Sequence, residues 1–373
     1  MALTIRLVRT RRDLRTFIDV PFRIYEGNPY WVPPLIDDEV KTLRTDINPV
    51  FDFCRAEYWI AERDGVPVGR IAGIVNDAFN RRWNSRHARF GWIDFIDDPE
   101  VSALLFKTVE DWARGQGLDT VHGPLGFTDM DHQGMLVEGF NELGTMATIY
   151  NHPYYPVHVE RLGYGKDADW VEYEVAIPKE IPDKVLRVAG LVLAKRKLHV
   201  FEAKRPADLL PYAREMFELI NSTFDHLYGY VTLTPRVIDS LVEQYFPNVD
   251  PDFLKLMLDE QNKVAGVAIA FPSLSRALQR SHGRLFPFGW YHLLIALKRP
   301  KYADLYLGAV RKDLQGKGAD ALLMIELNRS FVKRGINRVE SNPELESNMQ
   351  MRGHWKNFEH RQHKRRRCYV KKI

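Results

Sequence analysis

Residues Leu305 to Leu323 read LYLGAVRKDLQGKGADALL: an apolar strand, a polar turn Gln315-Gly316-Lys317-Gly318, and a helix opening at Ala319. Glycines at a helix entry let the backbone approach a ligand closely. The free N–H groups and the helix dipole there favour an anion such as a phosphate or pyrophosphate. Gln315, Gly316, Lys317, Gly318 and Ala319 are therefore candidate anion contacts, with a plain strand-to-helix turn as the alternative. The segment has neither the spacing of a Walker A loop nor the glycine pattern of a dinucleotide fingerprint.

Working outward, the strand-turn-helix unit belongs to a repeat. Glu57 to Asn76 (EYWIAERDGVPVGRIAGIVN) and Phe253 to Pro272 (FLKLMLDEQNKVAGVAIAFP) each read as two β-rich runs around a turn, Asp64-Gly65 and Gln261-Asn262. Each hairpin is followed by another strand (Arg89–Ile96, Asp304–Val310), a helix (Pro99–Arg114, Ala319–Lys333), a capping glycine (Gly117, Gly335), a short strand, a short helix near Asn151 or Asn348, and a last strand (Trp170–Ile177, Arg366–Lys371). Pro178 to Pro182 reads as a break. The pattern predicts an α+β protein of two tandem modules, 1–180 and 181–373, each with a mixed, mostly antiparallel sheet flanked by helices. The second carries an apolar, aromatic insertion at 273–300 that reads as a helical flap.

Composition is consistent with this. The 373 residues are 45% hydrophobic and 27% charged, the range of soluble globular proteins, so disorder is excluded for the bulk of the chain. Cys54 and Cys368 stand near opposite ends, and no His/Cys cluster has zinc spacing, which excludes a disulfide framework and predicts no metal. There is no signal-peptide pattern and no membrane-length apolar run, so the expectation is a cytoplasmic protein without a membrane partner. The net charge of +4 conceals a basic run, Arg361 to Lys372, with seven Lys or Arg and no acid. It fits a solvated strand face, a phosphate-binding surface or a nucleic-acid contact. The repeat makes it the last strand of the second module and sets its charge beside a cofactor cleft, with nucleic acid not expected.

With these residues in place, the chain resembles the GNAT superfamily of acyl-CoA-dependent N-acyltransferases, in the tandem arrangement of a large bacterial group of undefined substrate, including Phe22 to Leu35 (FRIYEGNPYWVPPL). The family pattern Gln/Arg-x-x-Gly-x-Gly/Ala falls on Gln315, Gly318 and Asp320, where Asp320 departs from the usual small residue. A second family feature, Asn followed seven residues later by a proton-donating Tyr, falls on Asn348 and Trp355, and Trp355 cannot play that part. In the first half the corresponding loop, Ile96 to Ser102 (IDDPEVS), has three acids and no glycine, so that half is a degenerate module and the second is the one expected to hold acetyl-CoA or another acyl-CoA.

The resemblance implies a thioester carbonyl polarised by a backbone N–H near Ala309 or Val310. Amide formation also needs a deprotonated amine and a proton for the leaving thiolate. Glu340, Glu344 and Glu346 are candidate bases, and Tyr306 could face the same cleft. For a small-molecule or peptide amine acceptor, the polar segment Gly123 to Gly134 offers Asp129, Asp131 and His132, and the following segment offers Tyr150, Asn151, Tyr154 and Tyr155. Each of these also has an ordinary structural reading. Two further function classes are kept: a GNAT-fold binding protein that has lost catalysis, and a Fem-like aminoacyl-tRNA-dependent transferase using the basic run.

Overall fold

A computed structural model describes residues 2–349, 353 and 355–373. The first half contains β1 (Leu3–Leu7), α1 (Arg11–Ile24), α2 (Ile36–Leu43), β2 (Cys54–Arg63), β3 (Val66–Asn76), α3 (Asp77–Trp83) and β4 (His87–Phe95). It continues with α4 (Pro99–Gly115), β5 (Thr120–Gly123), β6 (Met135–Glu138), α5 (Tyr154–Arg161) and β7 (Gly165–Ala176). The second half contains α6 (Asp183–Arg196), β8 (His199–Phe201), α7 (Ala213–Phe224), α8 (Pro235–Tyr245), β9 (Leu254–Leu258) and β10 (Val264–Pro272). Then follow α9 (Ser275–Ser281), α10 (Gly289–Lys298), β11 (Tyr302–Val310), α11 (Ala319–Lys333), β12 (Arg338–Glu340), β13 (Glu344–Leu345) and β14 (His360–Lys372). The helix expected from Asn348 falls for the most part outside the described residues.

The repeat has a physical basis in both hairpins. Asp64 and Gly65 take left-handed φ of 51° and 80°, the geometry of a tight strand reversal, and Asn262 takes 56°. Gly69 and Gly266 lie where the principal helix of each half presses on the sheet: a Cβ on Gly69 would be 2.8 Å from Leu105 Cδ1 of α4, and one on Gly266 3.1 Å from Leu323 Cδ1 of α11. Gly117 and Gly335, at φ 74° and 73°, end those same helices.

The halves do not close on themselves. Among the described residues all strands belong to one sheet with main order β1-β2-β3-β4-β5-β14-β7-β12-β11-β10-β9-β8. The last strand of the chain, β14, pairs with β5 of the first half (Tyr369 opposite Gly123), while β7 of the first half pairs with β12 of the second (Glu174 opposite Glu340). Each half thus lends its final strand to the other, and β14 and β7 run antiparallel from His360 to Val370 along the seam. One apolar core joins α1 and β2 to α7, α8 and β9 across the halves. The insertion at 273–300 forms α9 and α10, which rest on Val32, Leu143 and Met146 of the first half. Gln279 Nε2 donates to the Pro29 and Trp31 carbonyls.

Candidate active site

Strand β11 runs parallel to β12 only over Tyr302–Asp304 opposite Arg338–Glu340. Beyond that the two strands part, and a cleft of about 230 Å³ opens between them. Its walls are Leu305 to Gly308 on one side and Ser341 to Leu345 on the other, with Met324 and Leu327 of α11 beneath. Asn342 Nδ2 donates to the Tyr306 carbonyl (3.0 Å), so a side chain spans a gap that a backbone ladder would otherwise close. Leu305 and Leu307 oppose the consecutive residues Ala270 and Ile269, which makes Tyr306 the extra residue of a β-bulge. Bulges re-aim side chains and interrupt pairing beside functional clefts.

The quoted loop follows the same strand. Gly316 and Gly318 adopt φ of 66° and 84°, and Gly318 is the N-cap of α11. The amides of Gly316, Gly318 and Ala319 find no acceptor among the described residues. Open space faces Gly316, and a Cβ on Gly318 would lie 3.3 Å from Val192 of α6. Gln315 Nε2 donates to the Val310 carbonyl (3.0 Å), tying the loop to the strand end, while Lys317 Nζ donates to the Asp313 carbonyl (2.5 Å). Ala309 and Val310 are buried in the ladder with β10, downstream of the stretch that walls the cleft.

Among the acid and base candidates, the Tyr306 hydroxyl is buried with no partner among the described residues, and the ring meets Phe271 edge-on at 4.9 Å. Burial pushes its ionisation well above the usual tyrosine range, so it stays a proton donor. Glu344 Oε1 accepts from Trp355 Nε1 (2.8 Å) in the cleft wall, and Asn348 lies on the same wall. Glu340 is ion-paired with Lys364 and does not line the cleft. Glu346 lies at the surface, held by Lys166 (2.8 Å) and Arg365 (2.5 Å). Sequence reasoning missed Asp304. It is buried opposite Glu340 in the parallel register, and burial followed by the Glu340 charge raises its carboxyl to about 8. An acid inside the apolar run ADLYLGAV is the signal that marks it.

The acceptor candidates separate into three places. Asp129 reaches the cleft from the first half, together with Met130 and Gln133; its Oδ2 accepts from the Val231 amide (2.9 Å), and burial raises its carboxyl to about 6. Tyr228 and Tyr230, also unforeseen, line that cleft with it. His132 and Tyr150 line a smaller cavity of about 70 Å³ in the first half. Asp131 closes its own turn by accepting from Thr128 (2.8 Å). Asn151 clamps both main-chain groups of Leu136, Tyr154 donates to the Phe95 carbonyl (2.6 Å), and the Tyr155 hydroxyl accepts from the Phe95 amide (2.9 Å). These last three knit the first half together and do not line either cavity. Two side-chain groups distant in sequence, His122/Asp167/Cys368 and Glu172/Glu340/His363, each bring three potential ligand atoms within 4.8 Å of one another. In the second group the carboxylates already pair with Lys364 and Arg366.

The basic run is a strand, and its charge is spent internally, which corrects its expected place beside a cofactor. Arg361 pairs with Glu142 (2.6 Å), Arg367 with Asp169 (2.9 Å) and Lys371 with Glu110 (2.8 Å), while Arg366 is buried against Glu172.

The first half repeats the splay and narrows it to the cavity of about 70 Å³, which Gly91 to Asp94 of β4 line together with Leu125 and Gly126. β4 runs parallel to β5 only over His87–Arg89. The Leu125 amide then donates to the Phe90 carbonyl (2.9 Å), and Arg89 Nη1 donates to the Gly126 (2.9 Å) and Phe127 (3.2 Å) carbonyls. Leu125 and Phe127 are buried, and Leu125 helps wall what remains of the first-half splay.

No model of a known protein family matches the chain. It is 30% identical over 385 aligned positions to Protein YghO of Escherichia coli, covering 98% of this chain and 95% of that one. It is 28% identical to the bacterial ceramide synthase of Caulobacter vibrioides, covering 94% and 92%. Among solved structures, a tandem GNAT protein from the clavulanic acid biosynthesis pathway superimposes with a TM-score of 0.58 at 14% identity, covering 100% of this chain and 98% of that one. That likeness establishes the tandem GNAT fold.

Proposed function

Since the chain belongs to the family of Protein YghO and carries a tandem GNAT fold, we propose that it is an acyl-CoA-dependent N-acyltransferase acting on the amine of a long-chain amphiphile. The observation that carries this reading is the asymmetry of the two splays: one is narrowed by its own chain to a cavity of about 70 Å³, and the other is a largely apolar cleft of about 230 Å³ followed by a glycine loop at a helix N-terminus. An extended pantetheine arm fits between parted strands, with the pyrophosphate at the amides of Gly316, Gly318 and Ala319. Leu305, Leu307, Met324, Leu327 and Trp355 offer an apolar lining for an acyl chain. The acceptor class follows from the Caulobacter relative's name, because a ceramide is a long-chain amino alcohol acylated on nitrogen.

In the reaction the amine nitrogen attacks the thioester carbon, the C–S bond breaks, the amine loses a proton and the departing thiolate gains one. Asp129, with its carboxyl near neutrality, accepts the proton of the amine. Tyr306, held protonated by burial, supplies the thiolate. The amides of the 305–308 wall polarise the carbonyl. The test is to incubate purified protein with acetyl-CoA or palmitoyl-CoA and sphinganine, following free CoA thiol and the N-acyl product by mass spectrometry. Amide product supports the reading. Neither CoA binding nor product with either donor overturns it.

The second reading, a binding protein without turnover, draws on Trp355, which is buried and occupied with Glu344 where the family places a proton donor. CoA binding with no product from any amine would favour it.

A further inference from the structure

Among the described residues, the insertion that interrupts the second half has no partner for its outer face. Gly289, Leu293 and Ala296 turn one stripe of α10 inward onto α9 and the first half. The opposite stripe is apolar too: Trp290, Tyr291, Leu294 and Ile295 are exposed, and Phe286 and Phe288 in the preceding turn stand 78% and 72% exposed. A helix apolar on all sides is a core helix or one that meets a non-aqueous phase, and this one has only half of its surface covered.

Charge distinguishes between the possible covers. From 273 to 303 there are six basic residues, Arg276, Arg280, Arg284, Lys298, Arg299 and Lys301, and no acid. None of the six forms an ion pair among the described residues, whereas six of the seven Lys and Arg of β14, all but Lys372, are matched to carboxylates. Unmatched cations around exposed aromatic and aliphatic side chains are the composition of a segment lying in a bilayer interface, with rings at headgroup level and basic groups on anionic phosphates. A two-fold related copy would set this positive rim against itself. We infer that the 284–299 segment is a membrane-docking surface that seats the protein on an anionic bilayer. No helix of the described residues is long and apolar enough to span one, so the contact is interfacial.

The surface is joined directly to the cleft. The insertion ends at Pro300, β11 begins at the exposed Tyr302, and the cleft wall starts three residues later at Leu305, about 10 Å along the strand. For the long-chain amine, this inference rests on the function proposed above: a substrate with its tail in the bilayer would meet the cleft at its source. The bilayer contact itself rests on the insertion alone.

Vesicle flotation separates the two. The full-length protein is expected to float with phosphatidylcholine vesicles containing phosphatidylglycerol and to be released by high salt, with little flotation on phosphatidylcholine alone. Phe286→Ser/Trp290→Ser/Ile295→Ser, at exposed positions, should lower partitioning at least tenfold without changing the circular dichroism spectrum. Arg284→Glu/Lys298→Glu/Arg299→Glu should do the same, at roughly fivefold for each cation removed. Both variants should keep wild-type transfer to a short, water-soluble amine if transfer is observed at all, so failure of the enzymatic reading leaves the flotation result standing. The inference is overturned if wild type does not float on the anionic vesicles, if the apolar variant floats as well as wild type, or if that variant instead converts an oligomer to a monomer in gel filtration.

Discussion

Replacing Tyr306 by Phe removes one atom, and the structure assigns that atom a cost and a use. The hydroxyl is buried without a partner among the described residues, and an unsatisfied buried hydroxyl costs roughly 1–3 kcal/mol. Its removal keeps the ring and the 4.9 Å edge-on contact with Phe271, so Tyr306→Phe should be neutral or stabilising by up to about 1 kcal/mol in urea unfolding. The same change deletes the proton donor to the thiolate, an effect of about 10²- to 10⁴-fold on kcat for a general acid, with KM for acyl-CoA nearly unchanged. The assay is thiol release from acyl-CoA by a colorimetric disulfide reagent. It is open to this protein because Cys54 and Cys368 are buried and burial raises both thiols to about 12. Burial holds Tyr306 above the ordinary tyrosine range, so wild type should lose no activity from its ionisation up to about pH 10. A Phe variant with wild-type kcat refutes the role. A Phe variant that unfolds at lower urea refutes the premise that the hydroxyl has no partner.

Three further outcomes follow from the same geometry. Gly318→Trp puts a side chain at φ 84° and 3.3 Å from Val192, which should cost about 1–2 kcal/mol and weaken CoA binding at least tenfold by calorimetry; unchanged binding would remove the anion site from this loop. Asp304 has its carboxyl raised from 3.8 to about 8 by burial and Glu340, so the folded protein keeps a proton that the unfolded chain releases, and stability falls as pH rises from about 4 through about 8. Asp304→Asn should therefore raise the urea midpoint near pH 9 and leave it close to wild type near pH 4, and equal midpoints near pH 9 would contradict the assignment. A fragment of residues 181–373 lacks β7, leaving β12 and β13 without their first-half neighbour and β14 with no partner on either side; it should be unfolded by circular dichroism alone and recover when co-expressed with 1–180, whereas a folded monomeric fragment would oppose this.

Local pattern was enough for the repeated elements but not for α2, α3, α8 or β6, which have no counterpart in the repeat as read from the sequence. The hairpins, α4 and α11, and the glycines at 69, 117, 266 and 335 are legible because turn chemistry and capping act within a few residues. Which strand sits beside which is not local. β7 and β14 have the same place in each repeat, and only long-range pairing decides that each lies beside the other half's strands. The basic run misleads for the same reason: the carboxylates matching Arg361, Arg366 and Arg367 belong to Glu142, Glu172 and Asp169, between 194 and 219 residues upstream. The Gln315 to Gly318 turn is legible as a strand-to-helix entry because strand, glycines and helix are contiguous, whereas the bulge at Tyr306 has no signal in the sequence. Tyr228 and Tyr230 were not legible either, since a loop brings them to the cleft without any motif of its own.

The two splays differ at positions that register makes equivalent. His87–Arg89 of β4 paired with β5, and Tyr302–Asp304 of β11 paired with β12, put Arg89 where Asp304 stands and Gly91 where Tyr306 stands. A Cβ on Gly91 would lie 2.5 Å from the Leu125 carbonyl oxygen, so a side chain there and the plug exclude each other. Arg89 holds that plug by donating to the Gly126 and Phe127 carbonyls, whereas the shorter Asp304 carboxyl has at most one donor. In the second half Tyr306 occupies the space, Asn342 spans the gap with its side chain, and the cleft stays open. The plug then continues directly into Asp129, Met130 and Gln133, which line the open cleft. One segment therefore narrows the first splay and furnishes the second, and this ties the smaller cavity of one half to the construction of the larger cleft in the other.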